Sequence, residues 1–196
     1  MNERKGLWPW GWRRARREPL AEPIPFNAAG VAPATAPRLA PEFRIGWRRA
    51  DPAIEADVKA FWARLSLLPP DVDPDARAPG IVVAGYAGAI VVASSTAVLQ
   101  DVPFLRARMA VFRAVAGPAF ARPEVFTRLA AQTRAALEAW SRDHPEEGVM
   151  GVMTVIGAEA ARAKTSPHRP ETGLSLAGFT ESDEKIMVAW FDHALV

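Results

Sequence analysis

Two continuous apolar runs, Ile81 to Ala84 and Ala89 to Ala93, stand either side of Gly85-Tyr86-Ala87-Gly88. Both are rich in β-branched residues, and the glycines between them permit a chain reversal, so the segment predicts a β-hairpin. Leu105 to Val115 supplies the next strand. Pro123-Glu124 then opens a helix whose apolar positions Val125, Leu129, Ala136, Leu137 and Trp140 recur at roughly helical intervals. After the turn His144 to Gly148, Val149 to Ile156 is a further short strand. Leu174 to Phe179 and Ile186 to Phe191 flank the polar turn Thr180 to Lys185, which predicts a closing antiparallel hairpin.

Upstream, Phe43 to Arg48 alternates apolar and polar residues as a first strand does. Asp51-Pro52 is a helix start, because the carboxylate accepts orphan amide hydrogens and the proline ring presets the backbone. Ile54, Val58, Phe61, Trp62 and Leu65 form one apolar helical face before Pro69-Pro70 stops it. Asp71 to Gly80 is expected to be a loop, and it lacks the glycine and glutamate that would make Asp71, Asp73 and Asp75 a calcium loop. These elements sum to an α/β domain, a mixed sheet with helices on it, over residues 42–196.

Residues 1–41 are different. Seven prolines there deny a regular helix or central strand, leaving an extended or disordered leader. The formal net charge of +2 hides an asymmetry, since residues 1–50 carry ten Lys/Arg against four Asp/Glu. Within Leu7 to Arg17, Trp8, Trp10 and Trp12 stand beside Arg13, Arg14, Arg16 and Arg17. Such residues can dock a protein assembly or a nucleic acid, because guanidinium groups pair with phosphates and indoles stack on bases. The alternative is an inert tail. Without a long apolar run there is neither a membrane span nor a signal peptide, and a cytoplasmic location is expected. The absence of cysteine excludes disulfides, thiol catalysis and thiolate metal sites. His144, His168 and His193 lack ligand spacing, so no metal is expected. The motifs GxxxxGK[ST], GxSxG and HExxH are absent, leaving nucleotide hydrolysis, serine hydrolase and zincin chemistry without support.

The order of these elements, with Val83 to Val91 as two strands joined at a small glycine-bearing turn, resembles the core of the GNAT (GCN5-related N-acetyltransferase) fold. The resemblance implies a GNAT-like mixed sheet, acetyl-coenzyme A as cofactor and transfer of the acetyl group to an amine acceptor. In that family the strand before the long helix runs into a turn of the form Arg/Gln-x-x-Gly-x-Gly/Ala. Its amides and helix N-terminus bind the cofactor pyrophosphate. The corresponding segment is Val115 to Leu129, which implies Val115, Ala121, Arg122, Val125 and Arg128 as cofactor contacts. With Gly117 taken as an insertion that loosens the turn, Ala121, Glu124 and Phe126 occupy the signature positions, and all three depart from it. A Cβ crowds the phosphates, and Glu124 sets a negative charge where an anion is received. Pro123-Glu124 is equally an ordinary helix start.

Many GNAT enzymes protonate the leaving thiolate with a tyrosine beyond the fifth strand, whereas the one tyrosine here is Tyr86, far upstream. The segment Gly157 to Pro170 offers Glu159 as a base and His168 as an acid or base, each equally readable as a solvent-facing residue. Arg106, Arg108 and Arg113 are readable as a groove lining or as exposed strand-edge arginines. A second function class stays open beside the enzyme: a GNAT-derived, catalytically silent module docked through its leader.

Overall fold

A computed structural model of the chain describes residues 40–49, 51–157 and 166–194. The leader, including Trp8, Trp10, Trp12, Arg13, Arg14, Arg16 and Arg17, lies outside the described residues, as does Glu159. Eight strands form one sheet: β1 (Glu42–Ile45), β2 (Ile81–Ala87), β3 (Ile90–Val102), β4 (Ala107–Ala116), β5 (Val149–Ile156), β6 (His168–Arg169), β7 (Leu174–Phe179) and β8 (Lys185–Trp190). Their order is β1-β2-β3-β4-β5-β8-β7-β6, and every neighbouring pair is antiparallel except β4 and β5. Among the described residues, three α-helices accompany the sheet: α1 (Pro52–Arg64), α2 (Pro74–Arg77) and α3 (Pro123–Asp143).

The helices take opposite faces. Val125, Leu129, Ala136 and Leu137 of α3 pack with Val83, Ala93, Ala97, Ala110 and Phe112, whereas Ile54, Val58, Phe61 and Trp62 of α1 pack with Ile81, Ala84, Tyr86 and Val91. Strands β2 and β3 are therefore covered on both sides, which is why their sequence runs are continuously apolar rather than alternating. The helix α1 begins as its sequence specifies: the Asp51 carboxylate accepts from the amides of Ala53 at 3.0 Å and Ile54 at 3.3 Å.

At the centre of β3, Ser94, Ser95 and Thr96 are buried, and alternation sends them to opposite faces. Trp62 Nε1 donates to Ser94 Oγ at 3.2 Å, Thr133 Oγ1 bonds Ser95 Oγ at 2.6 Å, and Arg77 Nη2 donates to Thr96 Oγ1 at 3.3 Å. Each helix thus has one polar bond to the same three residues, and a buried hydroxyl without its partner costs about 1–3 kcal/mol. We expect Thr133→Val to lower stability by that amount in urea titration at unchanged m-value. A loss under about 0.3 kcal/mol would show that Ser95 finds another partner.

Several sequence expectations are corrected. The first strand stops at Ile45 instead of Arg48: the chain turns at Trp47 and Arg48, with Arg48 at φ +52°, outside the extended region. The first hairpin turns only at Gly88-Ala89, with Gly88 at φ +63°. Gly85 and Tyr86 stay in β2, where a Cβ on Gly85 would lie 2.9 Å from Phe43 Cε1 of the neighbouring strand. The supposed loop 71–80 contains α2 and a single 3₁₀ turn, capped by the Asp73 carboxylate accepting from the Asp75 amide at 2.9 Å. Arg108 lies where β4 is paired on both sides, whereas Arg113 is exposed on the stretch of β4 past its last pair with β5, as a strand-edge arginine is.

Candidate functional site

The one parallel junction in the sheet opens. β4 and β5 pair from Arg108↔Val149 to Val111↔Met153, and then part, although β4 continues to Ala116 and β5 to Ile156. Beyond Val111 the strand β4 is bonded to β3 alone, while β5 follows β8 as far as Ile156↔Lys185. A V-shaped opening results, with main-chain groups of β4 along one wall. Those groups can hydrogen-bond an extended chain laid into the opening, as another strand would.

At the end of β4 the chain enters the turn that precedes α3. Gly117 N–H donates to Val92 O, Phe120 N–H to Gly117 O, and Arg122 N–H to Phe120 O, each at 2.8 Å. Val125 and Phe126 amides both donate to Arg122 O, at 3.1 and 3.2 Å. Pro118 and Pro123 have no amide hydrogen. The turn has bonded most of its own donors, so an incoming anion meets chiefly the amides of Ala121 and Glu124 and the exposed Arg122 at the helix N-cap. Gly117 is pinned rather than loose. Its φ of −61° and ψ of 151° suit any residue, and a Cβ there would meet only ordinary contacts such as Leu65 Cδ1 at 3.6 Å. Gly117→Ala is expected to stabilise by about 0.4–1 kcal/mol through the unfolded state; a fall in Tm would contradict that geometry.

The other sequence-derived residues are scattered. Val125 is buried in the α3 core, and Val115 packs against the α1 cluster, so each offers the site its backbone only. Arg128 lies over the Phe43 ring, 5.2 Å from its centroid, on the β1 side of α3. His168 is exposed on β6, where Nδ1 lies 2.9 Å from Ser175 Oγ. Strands β8 and β7 separate it from β5, a lateral distance of roughly 14 Å at about 4.8 Å per strand. Tyr86 is committed elsewhere, its hydroxyl donating to Asp57 Oδ2 at 3.0 Å under the Arg44 guanidinium. Burial, then the Asp57 hydrogen bond and charge, push its pKa up to about 12. A raised folded-state pKa favours the neutral form, so this contribution is complete below pH 10 and is lost between about pH 10 and 12. With Asp57 exposed to screening, we expect on the order of 1 kcal/mol, absent in Tyr86→Phe when unfolding is titrated across that range.

The fold brings Arg113, Arg77 and Glu184 to the opening; the sequence offered Arg113 as a groove lining, but Arg77 and Glu184 were missed. Arg113 lies two positions past the last β4–β5 pair, and its Cα partner on β3 is Thr96, to which Arg77 donates. Glu184, in the β7–β8 turn, has Oε1 4.0 Å from where a Cβ of Gly157 would stand, just past β5. Burial lowers the pKa of Arg113 while the Glu184 charge raises it. The polar turn 180–185 was visible in the sequence, but its placement beside β5 depends on the β5-β8-β7 order. A separate hollow of about 190 Å³ near the N-terminus of α1, lined by Arg48, Arg49, Asp51 and Glu55 among others, does not include these residues. Among the described residues no three His, Asp or Glu side chains gather as a metal site, and no helix is long and apolar enough to cross a membrane.

No family model matches the chain, and no curated protein matches it in sequence. Solved structures do. A GNAT-superfamily phosphinothricin acetyltransferase from Sinorhizobium meliloti, in complex with acetyl-CoA, superposes with a TM-score of 0.51 at 13% identity, covering 80% of this chain and 91% of that one. A GNAT-family acetyltransferase from Streptococcus pneumoniae matches at 12% identity and TM-score 0.46, over 76% of this chain and 99% of that one. A GNAT-family N-acetyltransferase from Escherichia coli in complex with CoA matches at 15% identity and TM-score 0.43, over 81% and 86%. The chain has the GNAT fold: a mixed sheet flanked by helices in the order its sequence resembled.

Proposed function

We propose that the protein is an acyltransferase that moves an acetyl group from acetyl-coenzyme A to an amine. The observation that carries this reading is the parting of β4 and β5 after Val111↔Met153. A pantetheine arm is an extended chain of amides, and the free edge of β4 can bond it as a strand while the thioester reaches the opening. The pyrophosphate then falls near the turn, where the amides of Ala121 and Glu124 and the Arg122 guanidinium are its partners. Val115 and Val125 contribute through backbone, and Arg128 through its positive field. Glu184 takes the proton of the attacking amine, standing at the opening where His168 does not. The amine nitrogen forms the new bond to the acetyl carbon, the carbon–sulfur bond breaks, and coenzyme A leaves as thiol or thiolate.

The self-bonded turn favours a second reading, in which the fold is a scaffold and the leader, through Trp8 to Arg17, docks it to a protein assembly or nucleic acid. Thermal unfolding of the full chain with acetyl-CoA separates the two. Ligand at about 100 times its dissociation constant adds about 2.7 kcal/mol, or about 5–10 °C for a chain of this size. No shift at millimolar ligand would leave the scaffold reading. Glu124→Gln refines the test, because its two effects oppose. It removes a favourable first-turn charge from α3, costing a few tenths of a kcal/mol, yet raises coenzyme A affinity about three-fold by removing repulsion. Parallel falls in both would place the pyrophosphate elsewhere.

A further inference from the structure

The turn that joins β7 to β8 is ordered by bonds of its own. Thr180 N–H donates to Glu184 O at 2.9 Å and Asp183 N–H to Thr180 O at 3.1 Å, with Asp183 in the left-handed region at φ +60°. Inside this turn every bonding direction of the Thr180 hydroxyl is used. Its oxygen accepts from the amides of Ser182 at 3.3 Å and Glu184 at 3.1 Å, which occupies both lone pairs. The proton has one direction left, and the Glu184 carboxylate accepts it at Oε2, 3.4 Å away. Among the described residues no hydrogen bond takes up the other oxygen. Oε1 lies 4.0 Å from where a Cβ of Gly157 would stand, and apart from the glycine's own chain neighbours no other atom comes as close. The gap between Oε1 and Gly157 is therefore open, at the end of β5 where the sheet parts.

We propose that Thr180 is the positioning residue for the base: its hydroxyl fixes Oε2 so that Oε1 faces the gap at Gly157, where the acceptor amine gives up its proton. The inference rests on the acyltransferase reading, in which Glu184 accepts that proton. A hydroxyl donor favours the charged carboxylate, and holding one oxygen sets the direction of the other. Valine has nearly the shape of threonine but offers neither donor nor acceptor, whereas serine offers both.

The test uses the full chain, acetyl-CoA and two amine probes: ethanolamine, which is protonated near neutral pH and must lose a proton before attack, and hydroxylamine, which is neutral there. Released coenzyme A thiol gives the rates. The carboxyl carbon resonance of Glu184 gives its titration in the chain without cofactor. In Thr180→Val, kcat for ethanolamine should fall about ten-fold at little change in KM, while the hydroxylamine rate stays within about two-fold. The Glu184 titration should move to higher pH by about 0.5–1 pH unit, because the charged form has lost a donor. Thr180→Ser should restore all three, and Ser182→Ala, at an exposed position whose hydroxyl makes no bond among the described residues, should leave them unchanged. Glu184→Gln should slow ethanolamine about a hundred-fold and hydroxylamine far less. A titration unmoved in Thr180→Val overturns the positioning bond, and the transferase stands as long as the unaltered chain acetylates ethanolamine. A titration that moves while both amines slow equally overturns the positioning role, since a bond that only holds the turn does not tell a protonated amine from a neutral one. Turnover of neither amine by the unaltered chain sinks the transferase reading and, with it, the proton transfer that the bond serves.

Discussion

Gly151→Ala should lower the stability of this protein by about 3 kcal/mol, the upper end of the range for overpacking a closed interior. Gly151 sits in β5 between Met109 of β4 and Trp190 of β8, where a one-residue irregularity in β5 separates the Arg108↔Val149 and Met109↔Gly151 pairs. A methyl there would strike the Ala189 carbonyl oxygen and stand 3.0 Å from both Trp190 Cα and Met109 Cε. The first two are backbone atoms of a paired strand and can yield only by breaking the β5–β8 ladder. For a chain of this length the loss corresponds to a Tm fall of about 6–12 °C. Gly178→Ala is the control: nothing lies within 4 Å of its added methyl, and the change should stay within about 0.5 kcal/mol. If both variants melt alike, the packing of β5 between its neighbours is not as described. Because β5 forms one wall of the opening, Gly151→Ala should also weaken acetyl-CoA binding beyond what unfolding explains.

The strands were legible where burial on both faces made the sequence continuously apolar, as in Ile81 to Ala84 and Val149 to Ile156. The helix starts were legible where chemistry is local. Asp51-Pro52 and Pro123 open α1 and α3 at the expected residues, because an N-cap carboxylate and a preset proline angle need no tertiary partner. Limits of elements were less so. Gly85 looks like a turn residue in sequence but is there to admit the Phe43 ring, a contact made only when β1 pairs with β2. Asp73-Pro74 reads as loop because a helix of four residues shows no period to detect.

The site was legible as a place and not as a set of side chains. The strand-turn-helix from Leu105 to Arg142 pointed to the junction where β4 parts from β5, and the loss of its glycines was plain in the sequence. What could not be seen is where the turn's amides go. Their acceptors are Val92 O on β3 and carbonyls within the turn, set by backbone conformation rather than residue type. Arg77, Arg113 and Glu184 come from three separate segments that meet through the strand order and the seating of α2 on β3. Conversely, His168 looked near because it follows β5 in the chain, yet β8 inserts beside β5 and sends β6 to the far edge.

Phe61→Ala carries the second large effect and connects packing to that turn. Phe61 is fully buried on the inner face of α1 with Val58, Trp62, Ala84 and Val91, and its ring edge lies 3.8 Å from where a Cβ of Gly117, just past β4, would stand. The Arg64 guanidinium lies over the same ring, 5.6 Å from its centroid, and donates to Val91 O at 2.8 Å. Truncation removes most of a large apolar side chain and leaves a cavity between helix and sheet, which costs about 3–5 kcal/mol. A Tm fall of about 6–20 °C follows, with Phe61→Leu recovering much of it because the leucine refills part of the space. Phe179→Ala, at a position 57% exposed, should change Tm by no more than a degree or two. The functional consequence is separable from the loss of stability. Gly117 is bonded to Val92 O, and Phe61 and Leu65 line the space beside its Cα, so without the ring that space opens while the turn keeps its hydrogen bonds. At a temperature where Phe61→Ala remains folded, acetyl-CoA should therefore bind more weakly than to the unaltered chain, and Phe61→Leu should restore affinity together with Tm. Affinity unchanged in a folded Phe61→Ala protein would mean that the turn before α3 is positioned by its own hydrogen bonds, with α1 serving the sheet alone.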